Sequence, residues 1–365
     1  MKISSIQLYR YRLSFRKPMV FRKNLLTARE GLVIKVLNED GVRGYGEAAP
    51  LPGFSEERWE DVVEEAMRAA RSLTGCTFPE VTPPLSDRFE RWLYAQNLSP
   101  SLNCGLQTAF LDLHARSLEK PLARYLNPTS PQEVFVNGLI EGNVEEAVEQ
   151  ATELSRRRMT SVKLKVGKAC LEEDIQMVRE VRRILGDAVG LRLDANRAWD
   201  YEEGRRFGKA VADCKIDYIE EPLKDPTRLV AYAAETGLPC ALDETVRERG
   251  WEYLERWRGI RSVILKPTLL GGFEITLWLA RRAWNVGILP VITSTFESGV
   301  GLYGLAHLAA ALNQPEVPVG LDTASMFTQD VLHLPLVKDR GIIRVDEVNG
   351  LEDLINWNLL QEISL

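Results

Sequence analysis

"SVKLKVGKA", residues 161–169, decides how this chain is read. Val162, Leu164 and Val166 alternate with Lys163 and Lys165. Side chains of a strand leave alternately to its two faces. The two lysines therefore share one face of a short strand whose other face is apolar. A buried strand carries paired like charges only where something neutralises or uses them. What that face looks into is the question the rest of the sequence has to answer.

Seven similar segments accompany it. In order, the eight are VFVNGLI (134–140), SVKLKV (161–166), GLRLDAN (190–196), DYIEEP (217–222), PCALDET (239–245), SVILKP (262–267), LPVITST (289–295) and VGLDT (319–323). Amphipathic stretches such as NVEEAVEQATELSRR and LEEDIQMVREVRRILG fill the gaps with helical periodicity. Strands alternating with helices over short connections run parallel. Eight of them suit a closed β/α barrel. The alternative, an open doubly wound sheet, lacks a GxGxxG after its first strand.

The region before residue 131 reads as α+β. ISSIQLYRYRLSF is a strand, and GLVIKVLNEDGVRGYGEAA a hairpin turning at Glu39, Asp40 and Gly41. SEERWEDVVEEAMRAARSL reads as a helix capped at Ser55, followed by a Pro-rich loop at 79–88 and a helix at 102–118. Residues 340–365 lie beyond the eighth strand and are expected to pack back on the N-terminal region.

Composition narrows the function classes. The chain has 365 residues, 27% charged and 45% hydrophobic, with net charge −6. No basic block stands apart, which argues against nucleic acid or an anionic membrane as partner. Cys76, Cys104, Cys170, Cys214 and Cys240 are scattered with no CxxC, as in a cytoplasmic protein with reduced thiols. The first residues show no signal-peptide pattern, and no apolar run is long enough for a bilayer.

Barrel active sites form at the C-terminal strand ends. There the sequence places Lys163 and Lys165, then Asp194 and Asn196, then Glu220 and Glu221, then Asp243 and Glu244, then Lys266, and on the eighth strand Asp322. One charged residue at a strand end is ordinarily a solvated rim residue, so Asp322 or Glu244 alone reads as structural. An ordered series on successive strands does not. Asp194, Asp243 and one glutamate of the pair 220–221 would repel one another in a dry site, and a divalent cation resolves this. Oxygen ligands without histidine or cysteine suit Mg²⁺. Lysines on either side suit removal of a proton alpha to a carboxylate, the cation taking the enediolate charge. Lys163 beside Lys165 is expected to depress the pKa of one of them, as a general base requires. His114 and His307 fall within helices, and with His333 are poor catalytic candidates.

KLK at 163–165, LRLDANRAW at 191–199, YIEEP at 218–222, ALDET at 241–245 and ILKP at 264–267 together resemble the enolase superfamily, muconate-lactonizing subgroup. The resemblance covers nearly the whole chain. It implies a (β/α)7β TIM-like barrel over 126–325 under an α+β capping domain, formed by 1–125 and completed by 326–365. It implies Mg²⁺ held by Asp194, Glu220 and Asp243, the family using the first glutamate of YIEEP. Arg192 and Asn196 would support these ligands.

TSTFESGVGL (293–302) and GLDT (320–323) most resemble a dehydratase branch of the subgroup acting on a succinyl-bearing ring carboxylate. By that resemblance Lys165 is the acid–base group, Lys266 stabilises the planar intermediate from the other face, and Lys163 tunes Lys165 and contacts the small-molecule carboxylate substrate. Backbone N–H groups of Ser298 and Gly299, opening a helix, would hold the succinyl carboxylate. Segments 16–30 and 47–57 would be the lid loops. Racemases of N-succinylamino acids share both lysines, and muconate cycloisomerases share the fold. Dipeptide epimerases carry Asp-x-Asp on strand eight, where this chain has Asp322, Thr323 and Ala324. A histidine base of the mandelate racemase kind has no candidate near strands six and seven. A barrel that only binds would not need the complete set of lysines and carboxylates.

Overall fold

The alternation that pairs the lysines also builds a barrel wall. The computed structural model describes residues 1–21, 24–79, 87–168, 170–250, 256–257, 259–314, 316–347 and 351–365. Its strands, in chain order, begin with β1 (Ile3–Phe21), β2 (Asn24–Asn38), β3 (Arg43–Ala48), β4 (Glu133–Phe135) and β5 (Gly138–Ile140). Next come β6 (Ser161–Lys165), β7 (Gly190–Asp194), β8 (Ile216–Glu220), β9 (Cys240–Leu242), β10 (Ile260–Leu265) and β11 (Leu289–Ile292). The last two are β12 (Ile342–Arg344) and β13 (Gln361–Ile363).

Strands β5 to β11 lie side by side in sequence order, and every pairing is parallel. On β6, Val162 and Leu164 are fully buried in the main apolar core, and the lysines take the opposite face. Each such side chain, taken fully out of water, contributes roughly 1.5–3 kcal/mol. Two of the helices between strands start where the sequence supplies a capping box. Asn143 with Glu146 and Asp200 with Glu203 each form a reciprocal capping box.

Two strand expectations need correcting. Residues 319–323 do not form an eighth strand; Val319 and Gly320 alone close the ring. Val319 donates to Phe135 O at 2.8 Å and Gly320 to Ile292 O at 2.9 Å, joining the two sheet edges. Pro318 before them has no N–H to extend the ladder, and the chain turns at Asp322. VFVNGLI is likewise two strands. β4 pairs antiparallel with β12 and β5 enters the barrel, because the N–H of Val136 goes to Gly341 O instead.

The cap is an antiparallel sheet in the order β13-β1-β2-β3, in which Gln361–Ile363 pairs with β1. Helices Trp59–Leu73 and Pro100–Ser117 pack against this sheet. Gly44 and Gly46 let the second helix approach: a methyl on Gly46 would land on the carbonyl oxygen of Gly105. Ser55 does not cap the first helix, which begins after Arg58; its hydroxyl accepts the N–H of Leu51 at 2.8 Å and closes a turn. Farther along β1, Tyr11, Leu13 and Phe15 join a second apolar cluster with Val300, Tyr303, Phe327 and Val331. That cluster ties the cap to the barrel helix Gly299–Ala311 and to the C-terminal segment.

Segment 16–30 is strand rather than loop over its described residues, with Met19 opposite Leu26 and Val20 opposite Leu25. Arg22 and Lys23 lie outside the described residues, as do positions 80–86 of the expected Pro-rich loop. Among the described residues, no helix is long and apolar enough to cross a membrane.

Candidate active site

Register brings the polar strand ends together. Lys165 is the lateral partner of Asp194, and Asp194 of Glu220. Lys163 Nζ lies 2.8 Å from Asp194 Oδ2 and 2.8 Å from Glu220 Oε2. Lys165 Nζ lies 2.6 Å from Asp194 Oδ2 and 2.7 Å from Asn196 Oδ1. Across the rim, Lys266 Nζ pairs with Asp243 Oδ2. The backbone N–H of Asn196 donates to Asp194 Oδ1 at 3.1 Å. Three lysines, three carboxylates and Asn196, drawn from five successive strands, thus form one constellation.

Its electrostatics follow from burial opposed by neighbours. Burial alone would discharge Asp194, but Lys163 and Lys165 outweigh it and hold its carboxyl below the usual range. Glu220 is pushed up, by burial first and by the Asp194 charge second. Burial lowers Lys163, and the facing charges of Asp194 and Glu220 more than reverse this, leaving it well above its ordinary value. The depression expected from two adjacent lysines is therefore not found at Lys163: the carboxylates stand closer to its charge than any benefit from losing it. Lys266 is raised too, its burial outweighed by Asp243 and Glu244.

The two glutamates of YIEEP, which strand parity could not separate, face different ways. Glu220 turns toward Lys163, and its Oε1 is buried without a hydrogen-bond partner among the described residues. Glu221 turns toward the next strand and accepts from the N–H groups of Asp243 and Thr245.

Arg192, Ser298 and Gly299 each have partners within the chain. Arg192 sits one layer below Asp194 on the same face of β7. Its guanidinium donates to Asn137 Oδ1 at 3.2 Å and Pro318 O at 2.6 Å, across the barrel interior, and not to the carboxylates at the rim. The N–H groups of Ser298 and Gly299 do hold carboxylates, but these belong to the chain. Ser298 N–H donates to Glu47 Oε1 at 2.9 Å, and Gly299 N–H to Asp330 Oδ1 at 2.9 Å. Asp322 pairs with Arg157 at 3.6 Å, away from the lysines. His307 is buried and accepts the N–H of Ala123 at 3.0 Å; burial pushes it down to about 3, as befits a structural histidine.

A cavity of about 480 Å³ opens over the constellation. Lys165, Asn196, Glu244 and Lys266 form part of its wall, and the cap contributes Met19, Val20, Leu51 and Phe54. The Phe54 ring centroid lies 5.5 Å from Lys266 Nζ. Both expected lid segments therefore reach the cavity, one as a hairpin end and one as a loop. Arg197, Thr245 and Glu248, which no strand pattern singles out, form a network behind the carboxylates.

The donor set fits a hard divalent cation. Asp194, Glu220 and Asp243 offer only oxygen, and a buried carboxylate oxygen with no donor, such as Glu220 Oε1, is a ligand atom without its partner. As they stand, no three candidate ligand side chains among the described residues are gathered around one point; lysine ammonium groups stand among them.

Known proteins share the architecture of this chain. Residues 3–112 match the MenC N-terminal domain, and residues 146–352 match the enolase C-terminal domain-like family. The chain is 33% identical over 331 residues to an o-succinylbenzoate synthase of Vibrio cholerae serotype O1, covering 88% of this chain and 89% of that one. It is 32% identical over 368 residues to the protein PHYLLO, chloroplastic, of Arabidopsis thaliana, covering 91% of this chain but only 21% of that longer protein. An N-succinyl Arg/Lys racemase from Bacillus cereus superposes with TM-score 0.82 at 22% identity over 100% of both chains. A dipeptide epimerase from Enterococcus faecalis, solved with Mg and the dipeptide L-Leu-L-Tyr, gives 0.84 at 20% identity, over 96% of this chain and 99% of that one. The fold is that of an enolase-superfamily enzyme, and within that superfamily the chain belongs to the o-succinylbenzoate synthase family.

Proposed function

We propose that this chain is a Mg²⁺-dependent o-succinylbenzoate synthase, a carbon–oxygen lyase. It would dehydrate 2-succinyl-6-hydroxy-2,4-cyclohexadiene-1-carboxylate to o-succinylbenzoate in menaquinone biosynthesis. The observation that carries this reading is the placement of Lys165 and Lys266 on two sides of one cavity, with Asp194, Glu220 and Asp243 on the strands between them. Its family supplies the substrate.

Asp194, Glu220 and Asp243 would hold the cation, which when bound supplies positive charge against the carboxylate as it gains electron density. Lys165, in its neutral form, takes the proton alpha to the ring carboxylate. The electron pair of that C–H bond passes toward the carboxylate. The same ammonium then gives the proton to the hydroxyl on the same face. The C–O bond breaks, water leaves, the ring becomes aromatic, and Lys165 is neutral again. Asn196 fixes the position of its Nζ at the cavity wall. Lys266, held protonated by Asp243 and Glu244, meets the negative face of the planar intermediate from the other side. Lys163 is locked between two carboxylates and acts as a fixed charge. Phe54, Leu51 and Met19 shield the reaction from water.

The test is turnover of the cyclohexadiene substrate, followed by absorbance as the ring aromatises. No turnover with Mg²⁺ present would refute the assignment. A second reading rests on the same two-sided lysines: racemisation of an N-succinylamino acid, each lysine serving one face. Alpha-proton exchange of such a substrate in D₂O, read by NMR, separates a dedicated synthase from a racemase or a dual enzyme.

A further inference from the structure

Behind the carboxylates lies a network that the reaction as written does not use. Glu221 is fully buried, and its backbone takes φ +42°, in the left-handed region that residues other than glycine seldom occupy. That turn carries its side chain away from Glu220 and under the end of β9. Oε1 accepts the N–H of Asp243 at 3.0 Å and of Thr245 at 2.8 Å. Oε2 accepts the Thr245 hydroxyl at 2.7 Å and Arg197 Nε at 3.1 Å. Arg197 is itself left-handed, at φ +60°, and its N–H donates to the carbonyl of Glu221 at 2.6 Å. Its guanidinium also binds Thr245 Oγ1 at 2.9 Å and Glu248 Oε2 at 2.7 Å.

Two left-handed residues tied to each other are backbone strain that the surroundings must maintain, and such strain collects at functional sites. Here it has a visible beneficiary. Asp243 ends β9 at φ −126°, ψ −88°, outside both the helical and the extended regions, and that conformation aims its carboxylate at Lys266. The N–H of this residue is fixed by Glu221. The residue before Arg197 is Asn196, at φ +43°, which meets Lys165. One turn after β7 therefore places both the partner of the base and the clamp on the far carboxylate.

We propose that Glu221, oriented by Arg197, is a positioning residue that sets the direction of the Asp243 carboxylate and with it the affinity of the site for a divalent cation. The inference rests on the metal-site reading above. It extends that reading by assigning affinity to Glu221, which is fully buried, and to Arg197, which lines the cavity, neither of them among the proposed ligands.

The probe is Mn²⁺ alone, its binding to the intact protein titrated by electron paramagnetic resonance without substrate. Glu221→Gln keeps size but offers an accepting oxygen on one side only, so either the N–H groups of Asp243 and Thr245 or Arg197 lose their acceptor, and the carboxylate charge is lost. It should weaken Mn²⁺ binding by about 10- to 100-fold. Arg197→Met should weaken it in the same direction and Arg197→Lys by less, because lysine keeps the charge without the fork. Unfolding temperatures of the metal-free proteins are read in parallel. If Glu221→Gln and Arg197→Met bind Mn²⁺ within twofold of the parent, the clamp is purely structural and the proposal is overturned, whatever the loss of stability. Asp243→Asn separates the two ideas. If it too leaves Mn²⁺ binding unchanged, the metal site itself is misplaced; if it alone abolishes binding, only the clamp fails. Should Glu221→Gln not fold, the graded arginine pair decides.

Discussion

The carboxylate of Glu47, at the end of the cap sheet, accepts the backbone N–H of Ser298, at the mouth of the barrel, at 2.9 Å. Tyr11 donates to the same carboxylate at 2.5 Å, and Gly301 N–H at 2.9 Å. Beside it Arg29, also fully buried, donates to the carbonyls of Ala49 and Pro50 in the cap and of Phe296 in the barrel. At this helix N-terminus, where backbone N–H groups favour an anion, the cap sheet is fastened to the barrel.

Burial pushes Glu47 up to about 7, against the hydrogen bonds from Ser298 and Tyr11 that favour its charge. The groups facing it are Tyr11 on β1, Arg29 on β2 and Glu297 after β11. The folded chain thus holds a proton that the unfolded chain releases near 4.5. The stability this adds is full below about 4.5 and is lost as pH rises to about 7, with a slope of up to about 1.4 kcal/mol per pH unit. Glu47→Gln cannot titrate. Denaturant unfolding of both proteins at pH 5 and pH 7.5 should show the parent losing stability relative to the variant across that interval. A difference that stays constant with pH would assign the titration elsewhere.

Lys165→Ala should lower kcat for dehydration by about 10²- to 10⁴-fold, the usual worth of a positioned acid–base group. Circular dichroism should show the fold retained, since Nζ is partly exposed to the cavity. Turnover within a few-fold of the parent would remove Lys165 from the chemistry.

Chelation is the third check. EDTA should abolish turnover, and Mg²⁺ in excess should restore it, because the three carboxylates otherwise carry lysines and not a cation. Activity unaffected by exhaustive chelation would rule out a metal-dependent step.

Gly46→Ala places a methyl on the backbone of Gly105 and Ala109, which cannot rotate away as a side chain could. Overpacking against backbone should cost about 3 kcal/mol. Thermal unfolding of Gly46→Ala against Gly41→Ala, where nothing lies within 4 Å but φ is +79°, separates the packing cost from the backbone cost. Gly46 has no left-handed angle, so a Gly46→Ala protein that unfolds at the temperature of the parent would mean that the close helix contact contributes nothing.

The barrel was legible because its signals are local. Period-two alternation in SVKLKV and ILKP, helical periodicity between strands, and the capping pairs Asn143–Glu146 and Asp200–Glu203 each span only a few residues. The order of ionisable groups along the chain is also their order around the rim, since each parallel strand pairs with the next. Three features arose where a local pattern met a distant partner. Ser298 sits at a helix start as its sequence implies, but the anion it binds lies 251 positions away. Arg192 shares the face of Asp194 yet reaches Pro318 O across the barrel. VGLDT looks like a strand, and only Val319 and Gly320 find neighbours.

Strand alternation and sequential parallel pairing need no distant information, and they were enough to read the class of barrel, the order of its strands and the side chains that stand at their ends. It took the folded chain to turn Glu220 toward Lys163 and Glu221 under β9, to bond Ser298 to Glu47 of the cap sheet, and to fill the eighth strand position with two residues. Each of these turns on a hydrogen-bond partner brought in from far along the chain, or on a left-handed backbone angle that breaks alternation. Neither leaves a mark in a period of two.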